Sequence, residues 1–248
     1  MSKEIKREGF GIGRLDEAIE GGIVNGHTVL VYGSYGVGKT ILALHWANEG
    51  IRAGEKVIYV STDMEFYDIA SLAEIMGLNE FVRGLNEKRA YIIDLYYLSK
   101  IRPAKGASTP SLSITNLINA VNRACDEQLK VARRKSGWPE ESIRLVIDRV
   151  TPFLVGILYR GVPEKGAIRS VYRLKRELLR KPVTSLLITH EDENGKPLAL
   201  GLEHVCDGVI RMRRAKRSYI EIEKMRLTSV AKERLYYRIE KGKGIIIE

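Results

Sequence analysis

The sequence has 248 residues, of which 44% are hydrophobic and 29% charged, and its formal net charge is +10 at pH 7. This composition is typical of a soluble globular protein, and the length is enough to bury a sizeable core without disulfides or metals. The surplus of positive charge favours a polyanionic partner such as nucleic acid; the alternative is a lysine-rich solvated surface.

The first ten residues are charged and lack the apolar segment of a secretory signal. No apolar run approaches the roughly 20 residues that a membrane helix needs. Cys125 and Cys206 are far apart and lack the spacing of metal ligands, so both are predicted to be reduced thiols. We therefore expect a cytoplasmic protein with no membrane association.

Short apolar runs predict strands, and longer amphipathic stretches between them predict helices. Most runs lack polar alternation, which indicates strands buried on both faces, as in a parallel sheet. The predicted strands are 27–32, 56–61, 89–95, 143–148 and 183–189, and the predicted helices are 39–52, 66–77, 111–135 and 165–180. This alternation predicts a doubly wound α/β domain.

The last part of the chain has a different pattern. Four closely spaced runs alternate polar and apolar residues more cleanly and predict an antiparallel extension of the sheet: 208–214, 218–226, 235–241 and 243–248. Three polar stretches that contain Gly and Pro predict loops: 99–110, 159–167 and 190–197.

The segment "GSYGVGKT" fits the phosphate-binding pattern G-x-x-x-x-G-K-[ST] and lies between a predicted strand and a predicted helix. Glycines let successive N–H groups turn toward phosphate oxygens, and the helix N-terminus adds its dipole. In this pattern the lysine reaches the β- and γ-phosphates and the hydroxyl ligates Mg²⁺. The predicted nucleotide-binding residues are Gly33, Ser34, Tyr35, Gly36, Val37, Gly38, Lys39, Thr40 and Ile41.

Acidic residues follow two other predicted strands. Asp148 ends "LVID", where a carboxylate can share Mg²⁺ with Thr40. Asp63 and Glu65 follow "KVIYVS", which we expect to lie beside the strand that precedes the phosphate loop. Either carboxylate can orient an attacking water, with Lys39 as the third catalytic residue. The alternative for Asp63 and Glu65 is N-terminal capping of helix 66–77, and Asp68 is predicted to be a first-turn charge.

Several segments in the same order resemble the RecA-superfamily ATPases of the KaiC and RadA type. They are "GRLDEAIEGGI" before the phosphate loop, "LGLEHVCDGVIRM", and "IEIEKMRLTSVAKERLYYRIEKGKGIIIE". The resemblance runs from about residue 9 to the end. It implies a single RecA-like ATPase domain over 1–248, with residues 1–8 as a short extension, that uses ATP and Mg²⁺ and works as a homo-oligomer.

The resemblance also implies roles for individual residues. Lys224 and Arg226 of "KMR" match a pair that reaches the nucleotide of a neighbouring subunit, although a solvated strand face is the alternative. Thr189 and His190 match the sensor position, where a polar side chain detects the γ-phosphate, although a surface residue that opens a turn is the alternative for His190. The sequence departs from the family in three places: Asp63-Met64 replaces Glu-Glu, Arg149 replaces a serine, and Leu227 replaces a glycine. We therefore expect slow hydrolysis.

Two loops of RecA-like proteins bind DNA, and here they match 153–169 and 191–200. The first mixes an aromatic residue with cations, which suits single-stranded DNA, whereas the second is acidic. The stretch "RMRRAKR" at 211–217 is the densest basic group, and Arg211 and Arg213 would share a face there. The candidate nucleic-acid contacts are Tyr159, Arg160, Lys165, Arg169, Arg211, Arg213 and Arg214. A solvated rim or a subunit interface is the alternative.

Three hypotheses for the function remain open at this stage. The first is a RadA paralogue that binds single-stranded DNA and assists recombinational repair. The second is a KaiC-like signalling ATPase whose nucleotide state controls its oligomerisation without DNA. The third is a nucleotide-binding regulator of a partner recombinase, with almost no turnover.

Overall fold

A sheet of nine strands forms the centre of the molecule. The computed structural model describes residues 5–96, 114–133, 142–153, 169, 172–177, 181–191, 201–230 and 233–248. Within these ranges, no helix combines the length and the apolar character that crossing a bilayer requires.

The predicted strands and helices occur in the predicted order, and the described residues contain five further short elements that were not predicted. The strands are β1 (Arg7–Glu8), β2 (Ile23–Val24), β3 (Thr28–Gly33), β4 (Lys56–Ser61), β5 (Ala90–Asp94), β6 (Ile143–Asp148), β7 (Val183–His190), β8 (Gly208–Arg214), β9 (Ser218–Met225), β10 (Leu235–Glu240) and β11 (Gly244–Ile247). The helices are α1 (Gly13–Ala18), α2 (Lys39–Arg52), α3 (Phe66–Ile75), α4 (Asn79–Asn86), α5 (Ile114–Arg133) and α6 (Leu202–Val205). The five unpredicted elements are β1, β2, α1, α4 and α6. Residues 169 and 172–177 are also helical, within the predicted helix 165–180.

The strand order is β11-β10-β9-β8-β3-β7-β6-β4-β5. Pairing is parallel from β8 through β3, β7, β6 and β4 to β5, and antiparallel from β8 to β11. β1 and β2 form a separate antiparallel pair. The predicted parallel sheet with antiparallel strands at its end is confirmed.

Two details of the sequence prediction are wrong. β4 does not lie beside β3, because the fully buried strands β7 and β6 take the positions between them. Consecutive strands are neighbours only about two-thirds of the time. The predicted helix 66–77 ends at Ile75, and the unpredicted α4 follows. Gly77 adopts φ +76°, and an added Cβ would lie 2.1 Å from the Gly242 carbonyl oxygen, so only glycine continues the chain there.

Hydrophobic cores cover both faces of the sheet. One contains side chains of α1, α2, α3 and α4 together with those of β10 and β11. The other contains side chains of α5 and α6, and also Phe153 and Leu174. Cys125 and Cys206 are buried in the second core as free thiols. The parallel strands therefore open at their carboxyl ends, between two packed layers, where ligand crevices form in α/β sheets.

Candidate nucleotide-binding site

The predicted phosphate loop connects the end of β3 to the start of α2. Gly38 is the N-cap of α2 and has φ +92°, which a residue with a Cβ rarely adopts. An added Cβ at Gly38 would also lie 2.6 Å from Cδ1 of Ile239. The loop therefore presents main-chain N–H groups at a helix N-terminus, which is the arrangement that binds phosphate.

Lys39 lies in the floor of this loop and is only 5% exposed. Its Nζ donates hydrogen bonds to the carbonyl oxygens of Gly33, at 2.9 Å, and Ser34, at 2.6 Å. Burial lowers the pKa of Lys39 to about 8. A desolvated ammonium gains more than an exposed one from a nearby anion, so the loop is prepared for a negatively charged ligand.

Thr40 and Asp148 are in contact although 108 positions separate them in sequence. Thr40 Oγ1 donates to Asp148 Oδ2 at 2.8 Å, and the Tyr59 hydroxyl donates to the same oxygen at 2.8 Å. Burial at the end of β6 raises the pKa of Asp148. Hydroxyl and carboxylate oxygens are ligands that Mg²⁺ prefers, so these residues fit the predicted metal site. Tyr59, which anchors the carboxylate, was not predicted.

The structure separates the two candidate carboxylates that follow β4. Asp63 lies in the wall of the cavity at the phosphate loop, whereas Glu65 does not. Glu65 is the N-cap of α3 but makes no capping hydrogen bond with its side chain. Instead, Asp94 Oδ2 accepts the hydrogen bond from the Phe66 amide at 2.9 Å. Asp68 lies in the first turn of α3, as predicted.

Arg149, which directly follows Asp148, connects Asp63 to the sensor strand. Its Nη2 lies 2.9 Å from Asp63 Oδ2, and its Nη1 lies 2.7 Å from Nε2 of His190. Burial is the largest cause that raises the pKa of Asp63, and Arg149 opposes it. Burial also lowers the pKa of His190 to about 4. His190 is therefore a neutral acceptor, with Nδ1 assigned as its protonated nitrogen.

The two predicted sensor residues have different surroundings. The ring of His190 stacks on that of Tyr35, with centroids 3.7 Å apart and an interplanar angle of 18°. Thr189 is fully buried, and its hydroxyl lies 2.7 Å from the Thr151 hydroxyl. His190 borders the cavity and Thr189 does not. His190 therefore contacts both the cavity and, through the ring of Tyr35, the phosphate loop.

The cavity has a volume of about 370 Å³ and an apolar side, of which the sequence predicted only Ile41 as a nucleotide-binding residue. Ile41, Met64, Leu72 and Ile239 form this side. Ile239 belongs to β10, whose Tyr237 donates a hydrogen bond from its hydroxyl to the Val37 carbonyl oxygen. Residues about 200 positions after the phosphate loop therefore complete its pocket, and no local motif indicates them.

Lys224 and Arg226 lie away from the phosphate loop of their own chain. Lys224 is opposite Val209 in the sheet, whereas the loop begins at the level of Met212. Lys224 Nζ donates to the carbonyl oxygens of Glu203 and Cys206, at 2.9 and 2.6 Å. Arg226 is mostly exposed, and its Nη1 lies 3.0 Å from Asp207 Oδ1.

The structure describes four of the seven candidate nucleic-acid residues. Tyr159, Arg160 and Lys165 lie outside the described residues, as does the second loop after Glu191. Arg169 is exposed on a helical segment. Arg211 is mostly buried and forms ion pairs with Glu191, at 3.1 Å, and Glu223, at 3.7 Å.

Arg213 and Arg214 lie at the end of β8, which is the end that faces the phosphate loop. Arg213 is half-buried, whereas Arg214, Lys216 and Arg217 are exposed around the turn to β9. Arg217 stacks on the ring of Tyr236, with its guanidinium carbon 4.7 Å from the centroid. We call residues 213–217 the basic turn.

Comparisons with known proteins concern the family and the fold of the chain. A family model described as "ATPase: KaiC" matches residues 9–248. A KaiC-like protein from the hyperthermophilic archaeon Pyrococcus horikoshii superposes with a TM-score of 0.77 over 99% of this chain and all of that one, at 23% sequence identity. That likeness shows the fold.

Curated relatives extend the comparison. A UPF0273 protein of Thermotoga maritima is 31% identical over 98% of this chain and 96% of its own length. The circadian clock oscillator protein KaiC of Nostoc is 30% identical over 90% of this chain, which spans 39% of that protein. The DNA repair protein RadA of Aquifex aeolicus is 29% identical over 61% of this chain and 31% of its own length.

Proposed function

The chain belongs to the KaiC-type ATPase family, and on that premise we propose that it binds Mg²⁺-ATP at the phosphate loop and hydrolyses it slowly. The observation that carries the proposal is the 2.8 Å contact between Thr40 and Asp148 beside the buried Lys39. Together they supply one cation for phosphate and two oxygen ligands for a metal, all facing a cavity of about 370 Å³.

Each part of the cavity has a role in this proposal. The main-chain N–H groups of 33–41 and the Lys39 ammonium hold the phosphates. Thr40 and Asp148 hold Mg²⁺, which neutralises charge on the β- and γ-phosphates when it is bound. Asp63 orients the attacking water, and the apolar side with Leu72 and Ile239 takes the base.

We further propose that a second copy of the chain completes the site. Lys224 and Arg226 lie toward the amino ends of the parallel strands, whereas the phosphate loop of their own chain lies at the carboxyl ends, out of their reach. A cation supplied from a neighbour stabilises charge that develops on a γ-phosphate. Nucleotide binding would then favour a homo-oligomer, and the nucleotide state would control assembly, as in the signalling hypothesis.

The test measures Mg²⁺-dependent ATP hydrolysis and light scattering for the wild type, Asp148→Asn and Arg83→Gln. We expect Asp148→Asn to need far more Mg²⁺, because it removes a charged oxygen ligand. Arg83→Gln removes an ion pair on the surface of α4 and should behave as wild type. Wild-type protein that fails to bind ATP contradicts the proposal. Binding without turnover supports the hypothesis of a regulator that acts on a partner recombinase.

A second candidate function is binding of single-stranded DNA by a RadA paralogue that assists recombinational repair. The basic turn supports it, because three of its cations are exposed and one of them, Arg217, stacks on the aromatic ring of Tyr236. Cations that follow the backbone and aromatic rings on which bases stack are the usual components of a single-strand site.

An ATPase assay with and without single-stranded DNA across a salt series tests this candidate. Replacing both Arg214 and Lys216 with alanine should lower the salt slope of binding by about 1.4, at roughly 0.7 for each phosphate contact. The control replaces the exposed residues Arg52 and Lys88, which lie far from the basic turn, with alanine. ATP-bound protein that shows no DNA affinity at low salt rules this candidate out.

A further inference from the structure

Arg149 is a second fixed cation in the cavity, in addition to Lys39. Its guanidinium binds the Asp63 carboxylate at 2.9 Å and the neutral His190 ring at 2.7 Å. The side chain is 23% exposed. Among the described residues, its buried Nε finds no acceptor. The Nε–H donor of the guanidinium is therefore unused within the described part of the chain, while two partners hold its orientation.

The partner of Arg149 on the carboxylate side is the residue proposed to orient water. While Asp63 is paired with the guanidinium, one of its oxygens is occupied by that contact. A guanidinium binds carboxylate and phosphate with the same forked geometry. Both groups would therefore compete for Arg149 inside one cavity.

The other partner connects Arg149 to the phosphate loop. His190 accepts from Arg149 Nη1, and its ring stacks on that of Tyr35 within the loop. A shift of the guanidinium therefore moves a ring that contacts the loop directly. Lys39 also contacts the loop, but through hydrogen bonds to main-chain carbonyl oxygens and not through a side-chain ring.

We propose that Arg149 detects the terminal phosphate of ATP within a single chain, by exchanging the carboxylate of Asp63 for an oxygen of the γ-phosphate. The exchange frees Asp63 to orient the attacking water, and His190 transmits the movement to Tyr35. No covalent bond is made or broken in this step. The ion pair between Arg149 and Asp63 is replaced by one between Arg149 and the γ-phosphate. The inference rests on the proposed Mg²⁺-ATP site.

The exchange makes Arg149 a determinant of selectivity for ATP over ADP, because only ATP supplies the competing oxygen. The first test compares the affinities of a non-hydrolysable ATP analogue and of ADP, each with Mg²⁺, in the wild type and Arg149→Gln. We expect the analogue to bind about tenfold more weakly to the variant, with ADP affinity unchanged. The matched control, Arg83→Gln, removes a surface guanidinium that also pairs with carboxylates and should change neither affinity.

The second test is a double-mutant cycle with Asp63→Asn. Removing the competing carboxylate should tighten binding of the ATP analogue several-fold and leave ADP unchanged, while hydrolysis falls. In the Arg149→Gln background this tightening should disappear. If the tightening persists without Arg149, Asp63 acts only by repelling the phosphate, and the exchange is refuted.

The outcomes separate this inference from the proposed function. Wild-type protein that binds no nucleotide overturns the proposed function itself. Wild-type protein that binds and hydrolyses ATP, with the same ATP-to-ADP ratio in Arg149→Gln, overturns the exchange alone. If Arg149→Gln does not fold, Arg149→Lys replaces it in the cycle. A single ammonium cannot span Asp63 and His190 together, so the same loss of coupling is expected.

Discussion

The two ends of β6 each carry an arginine paired with carboxylates, and the two sites differ in almost every other respect. Arg144 lies near the start of the strand and is 2% exposed. Its Nε lies 2.5 Å from Glu55 and 3.6 Å from Glu8, and its Nη1 donates to the carbonyl oxygens of Gly9 and Trp46. Arg149 lies just past the other end, more exposed and with a donor unused among the described residues.

The comparison indicates that the Arg144 cluster stabilises the fold, whereas the Arg149 cluster can respond to a ligand. Arg144 joins the segment around Gly9 to α2, β4 and β6, and its carboxylate partners hold further donors such as Asn25 and Thr184.

Among the described residues, Arg144 is the cation paired with the buried Glu8, so losing that pair is costly. Glu55, its other partner, also lies 3.7 Å from the half-exposed Lys6. Both clusters border a cavity, of about 330 Å³ at Arg144 and about 370 Å³ at Arg149. Arg149 differs because it is 23% exposed and its cavity is lined by the phosphate loop, so a ligand bound there can take the place of one partner.

Replacing Arg144 should have the largest effect on stability. Arg144→Met leaves the buried Glu8 without its cation. Among the described residues, it leaves Glu55 with only the half-exposed Lys6, so we expect a loss of about 3–5 kcal/mol in the free energy of unfolding at pH 7. Urea denaturation measures it. Arg149→Gln breaks a partly exposed pair and should cost less than about 1 kcal/mol. Similar losses for the two variants would contradict the comparison.

The loss in free energy of unfolding caused by Arg144→Met should depend on pH. Burial and the neighbouring Glu55 already raise the pKa of Glu8 above its ordinary value, and loss of Arg144 raises it further. A carboxyl whose pKa is higher in the folded state destabilises the fold above its ordinary pKa, and protonation relieves the penalty. The deficit relative to wild type should therefore shrink as the pH falls from 7 toward 5. A deficit independent of pH would assign the effect to packing alone.

Lys39 lies at the opposite end of the parallel strands from Arg144. Replacing it should strongly reduce ATP affinity and change stability little. Lys39→Ala removes the cation in the floor of the loop, so ATP affinity should fall at least about a hundredfold. Isothermal titration calorimetry measures this. The free energy of unfolding should change by less than about 1 kcal/mol, because removing Lys39 also removes the cost of burying its ammonium. Asp148 keeps its hydrogen bonds from Thr40 and Tyr59. Retained ATP binding would place the nucleotide site elsewhere.

The smallest expected effect concerns Tyr237, which links β10 to the phosphate loop. Tyr237→Phe leaves the Val37 carbonyl without its donor, so we expect a loss of about 1 kcal/mol in stability. We also expect a few-fold loss of ATP affinity. Tyr236→Phe is the matched control, since neighbouring residues of a strand face opposite sides. Equal effects for the two variants would show that the hydroxyl of Tyr237 does not order the loop.

The sequence was most informative where chemistry follows a local pattern. The phosphate loop and Asp148 each follow a buried strand, and parallel strands bring such ends together, so the contact between Thr40 and Asp148 was predictable. The partners of Arg149 were not, because they depend on β4 and β7 both flanking β6. Buried strands have the same hydrophobic pattern whatever their order in the sheet, so the sequence pattern does not predict which strands are neighbours. The same limit hid Ile239 and Tyr59, whose side chains reach the site through tertiary packing alone.

The contact of β10 with the phosphate loop also sets the order in which the site is built. During synthesis the loop emerges about 200 residues before Tyr237 and Ile239, which later lie against it. Until then the loop lacks the hydroxyl that holds Val37 and one wall of its cavity. Closing such a long chain segment is slow compared with local helix formation. A nascent chain therefore carries the complete phosphate-binding motif well before it has a finished pocket for a nucleotide.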